Sequence, residues 1–352
     1  MKEDSTPAKL ILEDETVYNG FSFGSETNTD GEVVFNTGMV GYTESMTDPS
    51  YRGQILVYTY PLIGSYGVTD HGWESSELQI RGVVAANYQP DYSHWHAVKS
   101  LGDWLIENDI PGIHGIDTRA LTKKLRTHGV MLGKISINNQ NQSGKITDPN
   151  KTNLVNEVSV KKPIWYGKSK KQILLVDCGV KTSIIDDFIK RGIKIKRVPW
   201  NYNYLKELNE FDGLFLSNGP GDPKMCKDTI KFTTEAFKSG IPQFGICLGS
   251  QIQALAAGAN TYKLKYGHRG QNQPCILANS KKCILTSQNH GYAVKESTIP
   301  SQWQVNYRNL NDNSVEGIKH KSKPFFSVQF HPEANPGPTD ANFLFDEFIK
   351  TL

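Results

Sequence analysis

The sequence predicts an α/β protein: a C-terminal, mostly parallel sheet with helices on both faces, preceded by a smaller mixed β/α domain. Its 352 residues suit about two domains. From Gln172 onward, short apolar runs alternate with helix-period segments through glycine turns. That alternation implies parallel strands joined by helical crossovers, with the sheet covered on both faces. Before it, apolar runs are punctuated by Gly and Pro and helical spacing comes late, the mark of a mixed domain.

In the first half, Val33 to Phe35, Gln54 to Tyr58 and Gly82 to Ala86 are expected strands. A helix is expected from His94 to Asn108, with Trp95, Val98, Leu101, Trp104 and Leu105 on one face, and another from Thr118 to Thr127 with Leu121 and Leu125. Between Asn138 and Lys171 the chain turns polar and rich in Asn, Lys and Ser, with Leu154, Val155 and Ile164 to Tyr166 as anchoring points. The expected division is therefore a domain over 1–150, a connection over 151–171 and a second domain over 172–352. In the second domain the expected strands are Gln172 to Val176, Ile193 to Val198, Gly213 to Leu216 and Pro242 to Ile246. The expected helices are Lys181 to Arg191, Asp228 to Lys238 and Ser250 to Ala257. Ligands of such sheets bind at the carboxyl ends of the strands, so the turns there are the places to search.

A hydrophobic content of 38% with 21% charged residues describes a globular chain. The net charge of +3 gives no electrostatic reason to expect nucleic acid or an anionic membrane as partner. No stretch approaches the roughly 18 apolar residues of a membrane helix. The opening Met1 to Thr6 is too polar for a signal peptide, which makes the cytoplasm the expected compartment. Five cysteines without a C-x-x-C pair encode neither a disulfide framework nor a zinc ribbon.

Three segments carry chemistry. Gly245-Ile246-Cys247-Leu248-Gly249 follows a short apolar run and precedes a helical pattern. Small residues on either side let the chain reverse sharply and lift the central side chain above the sheet. A sulfur at a helix N-terminus is favoured as thiolate, the form that attacks a carbonyl. By itself the segment is equally a tight turn around a small buried residue. Phe330-His331-Pro332-Glu333 leaves the apolar run Phe325 to Gln329. There, a neutral imidazole can take the thiol proton and return it to a leaving amine, and Glu333 can orient the ring. Ser217-Asn218-Gly219-Pro220-Gly221-Asp222-Pro223 ends another strand with few side chains in the way. Its amides and the N–H of Leu248 could form an oxyanion hole. The competing readings of this loop are an ordinary turn and a phosphate loop, and the latter lacks the G-K-[ST] ending.

Taken in order, the Asn218-Gly219-Pro220-Gly221 loop, the Cys247 elbow and His331-Pro332-Glu333 resemble the class I, triad-type glutamine amidotransferase domain. In the first half, Phe35 to Tyr42, Thr47-Asp48-Pro49-Ser50-Tyr51 and Thr59 to Gly64 are similar to the N-terminal domain of the small subunit of carbamoyl-phosphate synthetase. So are Gln288 to Ala293 and Pro336-Gly337-Pro338. The resemblance runs from about Ala8 to Leu352 and implies a class I amidotransferase-like fold. It further implies a glutaminase that feeds ammonia to a synthetase large subunit or fused synthetase domain, for pyrimidine or arginine synthesis. By that pattern Cys247 attacks the glutamine amide, His331 protonates the departing ammonia and Glu333 orients His331. The matching substrate positions are Ser50, Gly219, Gly221, Leu248, Gln251, Asn289, Gly291 and Tyr292. Ser50 comes from the first domain, which would put the pocket where the domains meet. No cofactor and no metal are expected in this chain, ATP, Mg and bicarbonate being handled by the synthetase. One position departs from the pattern: Ser250 stands where the family has His. It bears on the pocket and the coupling to the partner more than on the triad.

Two rival readings stay open at this stage. One is a class I amidotransferase of another pathway, against which the first domain argues. The other is a docking or regulatory module that no longer hydrolyses glutamine, supported only by Ser250. Other residues are set aside. Trp95 is expected against the apolar stripe of its helix, with His94 and His96 beside it, and Cys178 is expected to be a buried bystander. Cys275 and Cys283 have no neighbouring His ligand and zinc is not expected there. Tyr266 to Gln273, with His268 and Arg269, is expected to be a loop against a partner or a solvated turn, and Lys168 to Lys171 a solvated connector.

Overall fold

The structure, a computed structural model, describes residues 6–138 and 144–352. Met1 to Ser5 of the polar opening and residues 139–143 of the polar stretch lie outside the described residues. The chain divides into two compact units, Met1–Lys151 and Thr152–Leu352.

The first unit is a closed barrel of seven strands, in the order Pro7–Leu12, Met131–Ile137, Thr29–Asn36, Gln54–Tyr58, Gly82–Val84, Gly112–His114 and Val17–Ser22. Closure removes the free sheet edge that short strands would otherwise expose. Val34, Leu56 and Val83 of its strands form one buried apolar cluster with Leu101, Trp104 and Leu105. The helix expected from His94 is shorter, Leu101–Glu107. Ser100 caps it by accepting the Asp103 N–H at 3.0 Å, which fixes where helical geometry begins. The preceding Ala97–Lys99 is extended and pairs with Val68–Thr69, so Trp95 belongs to no apolar stripe and is 87% exposed. The second expected helix forms over Thr118–His128 and buries Leu121 and Leu125.

In the second unit the apolar runs form five parallel strands in the order Lys194–Pro199, Gln172–Asp177, Gly213–Leu216, Gln243–Ile246 and Phe325–Val328. Alternate residues serve opposite faces. Ile173, Leu175 and Phe215 pack with Ile184, Phe188, Phe345 and Phe348. Leu174, Val176, Leu214 and Leu216 pack with Phe232, Leu248 and Ile252. The helices Thr182–Lys190 and Phe343–Ile349 thus cover one face, and Lys227–Ala236 and Leu248–Ala256 the other.

The sheet is only half parallel. Beyond Phe325–Val328 it continues through the antiparallel strands Val315–His320, Cys283–Lys295, Asn260–Leu277 and Trp303–Asn309. Tyr266 to Gln273 is therefore strand, and His268 and Arg269 are buried in it. Its polar sequence and register shifts at Lys263/His268 and Gly270/Gln273 hide the alternation of a regular strand. The polar segment 152–171 also belongs to the second unit. Leu154 and Val155 are buried, and Ile164–Tyr166 adds an antiparallel edge strand beside Lys194–Pro199. Among the described residues no helix is long and apolar enough to cross a membrane.

Phe188 meets Phe215 and Phe345 edge-on at 4.9 and 5.1 Å. Phe188→Ala removes a fully buried ring from the layer under the parallel strands. It is expected to lower the unfolding free energy by about 3–5 kcal/mol, read from chemical denaturation.

Candidate active site

The strand Gln243–Ile246 ends at Cys247, and the helix Leu248–Ala256 starts on the next residue. Cys247 has φ 54° and ψ −106°, a strained backbone for a residue with a Cβ. The reversal is tight enough that a Cβ at Gly249 would stand 2.1 Å from the Leu216 carbonyl oxygen, and one at Gly245 2.7 Å from that of Gly249. The expected elbow is therefore present, with its sulfur at a helix N-terminus. Cys247 is 2% exposed, and its thiol donates to the Asn289 carbonyl at 3.6 Å.

His331 reaches the same place from the end of Phe325–Val328. Its N–H donates to the Ser287 carbonyl at 2.9 Å, which fixes the chain just beyond the strand. The imidazole Nδ1 lies 2.5 Å from Glu333 Oε1. Nε2 is buried and makes no protein hydrogen bond of ordinary geometry. Burial opposes a charge on this ring, but the Glu333 carboxylate and the Cys247 side chain outweigh it and raise the pKa well above the usual imidazole range. An apo thiol–imidazole contact commonly tightens only when substrate binds.

Glu333 is fully buried as a side chain and is paired with Lys181 Nζ at 3.1 Å. Lys181 also donates to the Ala334 carbonyl at 2.7 Å. Burial alone would raise the Glu333 pKa; Lys181 and His331 instead hold it down to about 2. The sequence reading missed Lys181. Its signal was its place: it follows the carboxyl end of Gln172–Asp177 and precedes Thr182–Lys190.

Gly219 sits against the elbow. A Cβ there would be 2.1 Å from the Cys178 carbonyl oxygen and 2.9 Å from the Leu248 side chain, so only glycine lets the loop approach this closely. Gly221 has φ +81°. Cys178 is buried under this loop as expected; its neighbour Cys226, together with burial, keeps its thiol protonated.

Gln251, on the elbow helix, donates to the Tyr292 carbonyl at 2.9 Å and to Gln329 Oε1 at 3.0 Å. This ties the helix to the antiparallel strand Cys283–Lys295, which carries Asn289, Gly291 and Tyr292. The second unit thus brings together Cys247, His331, Glu333, Gly219, Leu248, Gln251, Asn289 and Tyr292. Ser50 lies in the first unit, buried in the turn Pro49–Tyr51, its N–H donating to Asp48 Oδ1 at 2.9 Å. Ser250 turns toward the sheet and shares a 2.9 Å hydrogen bond with the Ser327 hydroxyl.

Residues 174–351 match the family model for the class-I glutamine amidotransferase, and residues 10–135 that for the carbamoyl-phosphate synthase small chain, CPSase domain. Over 98% of this chain and 80% of the relative, it is 47% identical to the carbamoyl phosphate synthase arginine-specific small chain of Neosartorya fischeri. The chain belongs to the carbamoyl-phosphate synthase small chain family. The family also occurs inside longer proteins. The multifunctional protein CAD of Squalus acanthias is 49% identical over 97% of this chain and 16% of its own length. For the multifunctional protein URA2 of Saccharomyces cerevisiae the figures are 46%, 99% and 18%. The chain therefore spans less than a fifth of these two relatives. Among solved structures, a glutamine amidotransferase from Thermotoga maritima is similar over 52% of this chain and 86% of its own, at 18% identity and a TM-score of 0.40.

The Glu333 charge gives a pH prediction. Its pKa is depressed from 4.5 to about 2, so the stability it confers is present above about pH 4.5 and lost as pH falls toward 2. Lys181 and His331 stay cationic over that range. Glu333→Gln, which leaves them uncompensated, is expected to cost about 3–5 kcal/mol near neutrality. The gap between wild type and variant is expected to close through the acid range, measured by denaturant unfolding at stepped pH.

Proposed function

We propose that the chain hydrolyses L-glutamine and passes the ammonia to a carbamoyl-phosphate synthetase partner, a large subunit or a fused synthetase domain. The observation that carries this reading is a strained cysteine at a helix N-terminus, at the end of a strand paired in parallel with the one that leads into a buried His331–Glu333 pair.

Glutamine would be held by Gly219, Gly221, Gln251, Asn289, Gly291 and Tyr292 of the second unit. His331 Nε2 holds the proton given up by Cys247, in keeping with the raised imidazole pKa, and the sulfur attacks the side-chain amide carbon as thiolate. The N–H groups of Leu248 and Gly219 receive the oxyanion. On collapse the C–N bond breaks, and the imidazolium returns its proton to the leaving nitrogen, releasing ammonia. Water then attacks the thioester carbon as His331 accepts its proton; the C–S bond breaks, glutamate leaves and the proton returns to sulfur. Glu333, held by Lys181, keeps the ring in the tautomer with Nε2 free to accept. ATP, Mg and bicarbonate belong to the partner's reaction. Ammonia would be protonated and diluted in bulk water, which is the physical reason for a permanent partner.

Ser250 gives little support to a non-catalytic module. Its hydroxyl is satisfied by Ser327, and the His331–Glu333 pair and Gln251 keep their partners.

With the synthetase partner present, Cys247→Ser is expected to lower glutamine-dependent carbamoyl phosphate synthesis by more than ~10³-fold, while ammonia-dependent synthesis stays within about twofold of wild type. Glutamate release and product formation are measured side by side. Equal loss of both activities, or undiminished glutamate release, would overturn the assignment.

A further inference from the structure

The second unit holds a second buried cluster of chemically active groups that glutamine hydrolysis leaves unused. His268 comes from Asn260–Leu277, His290 from Cys283–Lys295 and Glu316 from Val315–His320, three strands of the antiparallel half of the sheet. Glu316 Oε1 lies 3.3 Å from His268 Nδ1 and 3.6 Å from His290 Nε2, and the three ligand atoms all fall within 4.8 Å of one another. All three residues are buried.

The hydrogen bonds of this cluster do not close. His290 Nδ1 lies 2.9 Å from the Tyr292 carbonyl and donates to it. Nε2 faces two oxygens, Gln288 Oε1 at 3.2 Å and the Glu316 carboxylate at 3.6 Å. Turning the Gln288 amide end for end would offer Nε2 a proton, but would set that NH2 against the NH2 of Asn309, 3.5 Å away. Glu316 Oε2 is buried with no hydrogen-bond partner at all. Glu316 Oε1 accepts from the Ser314 hydroxyl at 3.2 Å and faces the Nδ1–H of His268, which leaves the buried Oε2 as the position a cation would satisfy.

We propose that His268 Nδ1, His290 Nε2 and Glu316 bind one divalent cation of the zinc class. Tetrahedral zinc with bonds of ~2.0–2.1 Å places its ligand atoms ~3.3 Å apart, close to both distances from Glu316. The surroundings supply what histidine ligands need. The Tyr292 carbonyl holds the Nδ1–H of His290, and Asp312 Oδ2 takes the Nε2–H of His268 at 2.9 Å, so each ring aims its other nitrogen inward. A cation of charge two offsets Glu316 and Asp312 together, and its binding displaces the Nδ1 proton of His268 to solvent. The fourth position falls to water or to Glu316 Oε2. Asp312 also lines an open surface cavity of about 530 Å³ with Tyr262, Glu296 and Ser314. The ion would clamp three strands together, one of which carries Asn289 beside the nucleophile.

The test is calorimetric titration of chelator-treated full-length protein with ZnCl2, and with CoCl2 followed by visible absorption. One equivalent per chain and a tetrahedral Co2+ spectrum are expected. Glu316→Gln is expected to weaken zinc binding by at least ~100-fold, and Asp312→Asn, nearer the surface and safer for folding, by ~10–100-fold. A variant lacking the exposed His71, His94 and His96 of the first unit is expected to bind as wild type. Absence of binding, binding abolished in that surface variant, or unchanged affinity in both Glu316→Gln and Asp312→Asn would overturn the proposal and leave the cluster a charge network only.

Discussion

The reversal at Cys247 is the constraint on which the rest of the second unit depends. A non-glycine residue at φ 54° costs about 1–3 kcal/mol in isolation. It persists because its N–H is bound to the Val328 carbonyl at 2.9 Å and because Gly249 packs directly on the backbone of Leu216. Both contacts come from neighbouring parallel strands. The strain is thus held by the sheet, and its result is a buried sulfur fixed at the start of a helix, against the Asn289 carbonyl.

Around that sulfur the charges form a closed set. Lys181 and His331 are the cationic positions, Glu333 and the thiolate form of Cys247 the anionic ones. In the proposed reaction the imidazolium beside the thiolate gives its proton to the leaving nitrogen, and the ion pair carries the same net charge as a neutral thiol and imidazole would. Lys181 keeps Glu333 ionised throughout, and an ionised Glu333 keeps the ring tautomer fixed. A single buried carboxylate facing His331 alone would lack that counterweight.

The antiparallel half of the sheet has a different task. It brings the carbonyl of Asn289 to the sulfur and that of Tyr292 to Gln251, contacts whose positions do not depend on side-chain identity. The same half of the sheet carries the His268–His290–Glu316 cluster. Polar residues are why the strand resembled a loop from its sequence: with buried His and Arg in place of Val or Ile, period-two hydrophobicity disappears. The same substitution of polar for apolar burial hid Lys181, whereas Trp95 erred in the other direction, an apolar residue at helical spacing placed outside any helix by the cap at Ser100.

The sequence by itself determined the parallel strands, since Gln172–Asp177 and Gly213–Leu216 are largely apolar on both faces and can only be buried, and it marked Gly245 to Gly249 as a sharp turn, with an elbow one of its two readings. It also marked His331 and Glu333, two residues apart at a strand end. Only the tertiary structure decided that Lys181 would complete that pair, that Tyr266 to Gln273 would be buried strand, and that two histidines and a glutamate from three strands would converge. Those are contacts between residues far apart in the chain, set by sheet order and register, and no local pattern of hydrophobicity encodes which strand lies beside which.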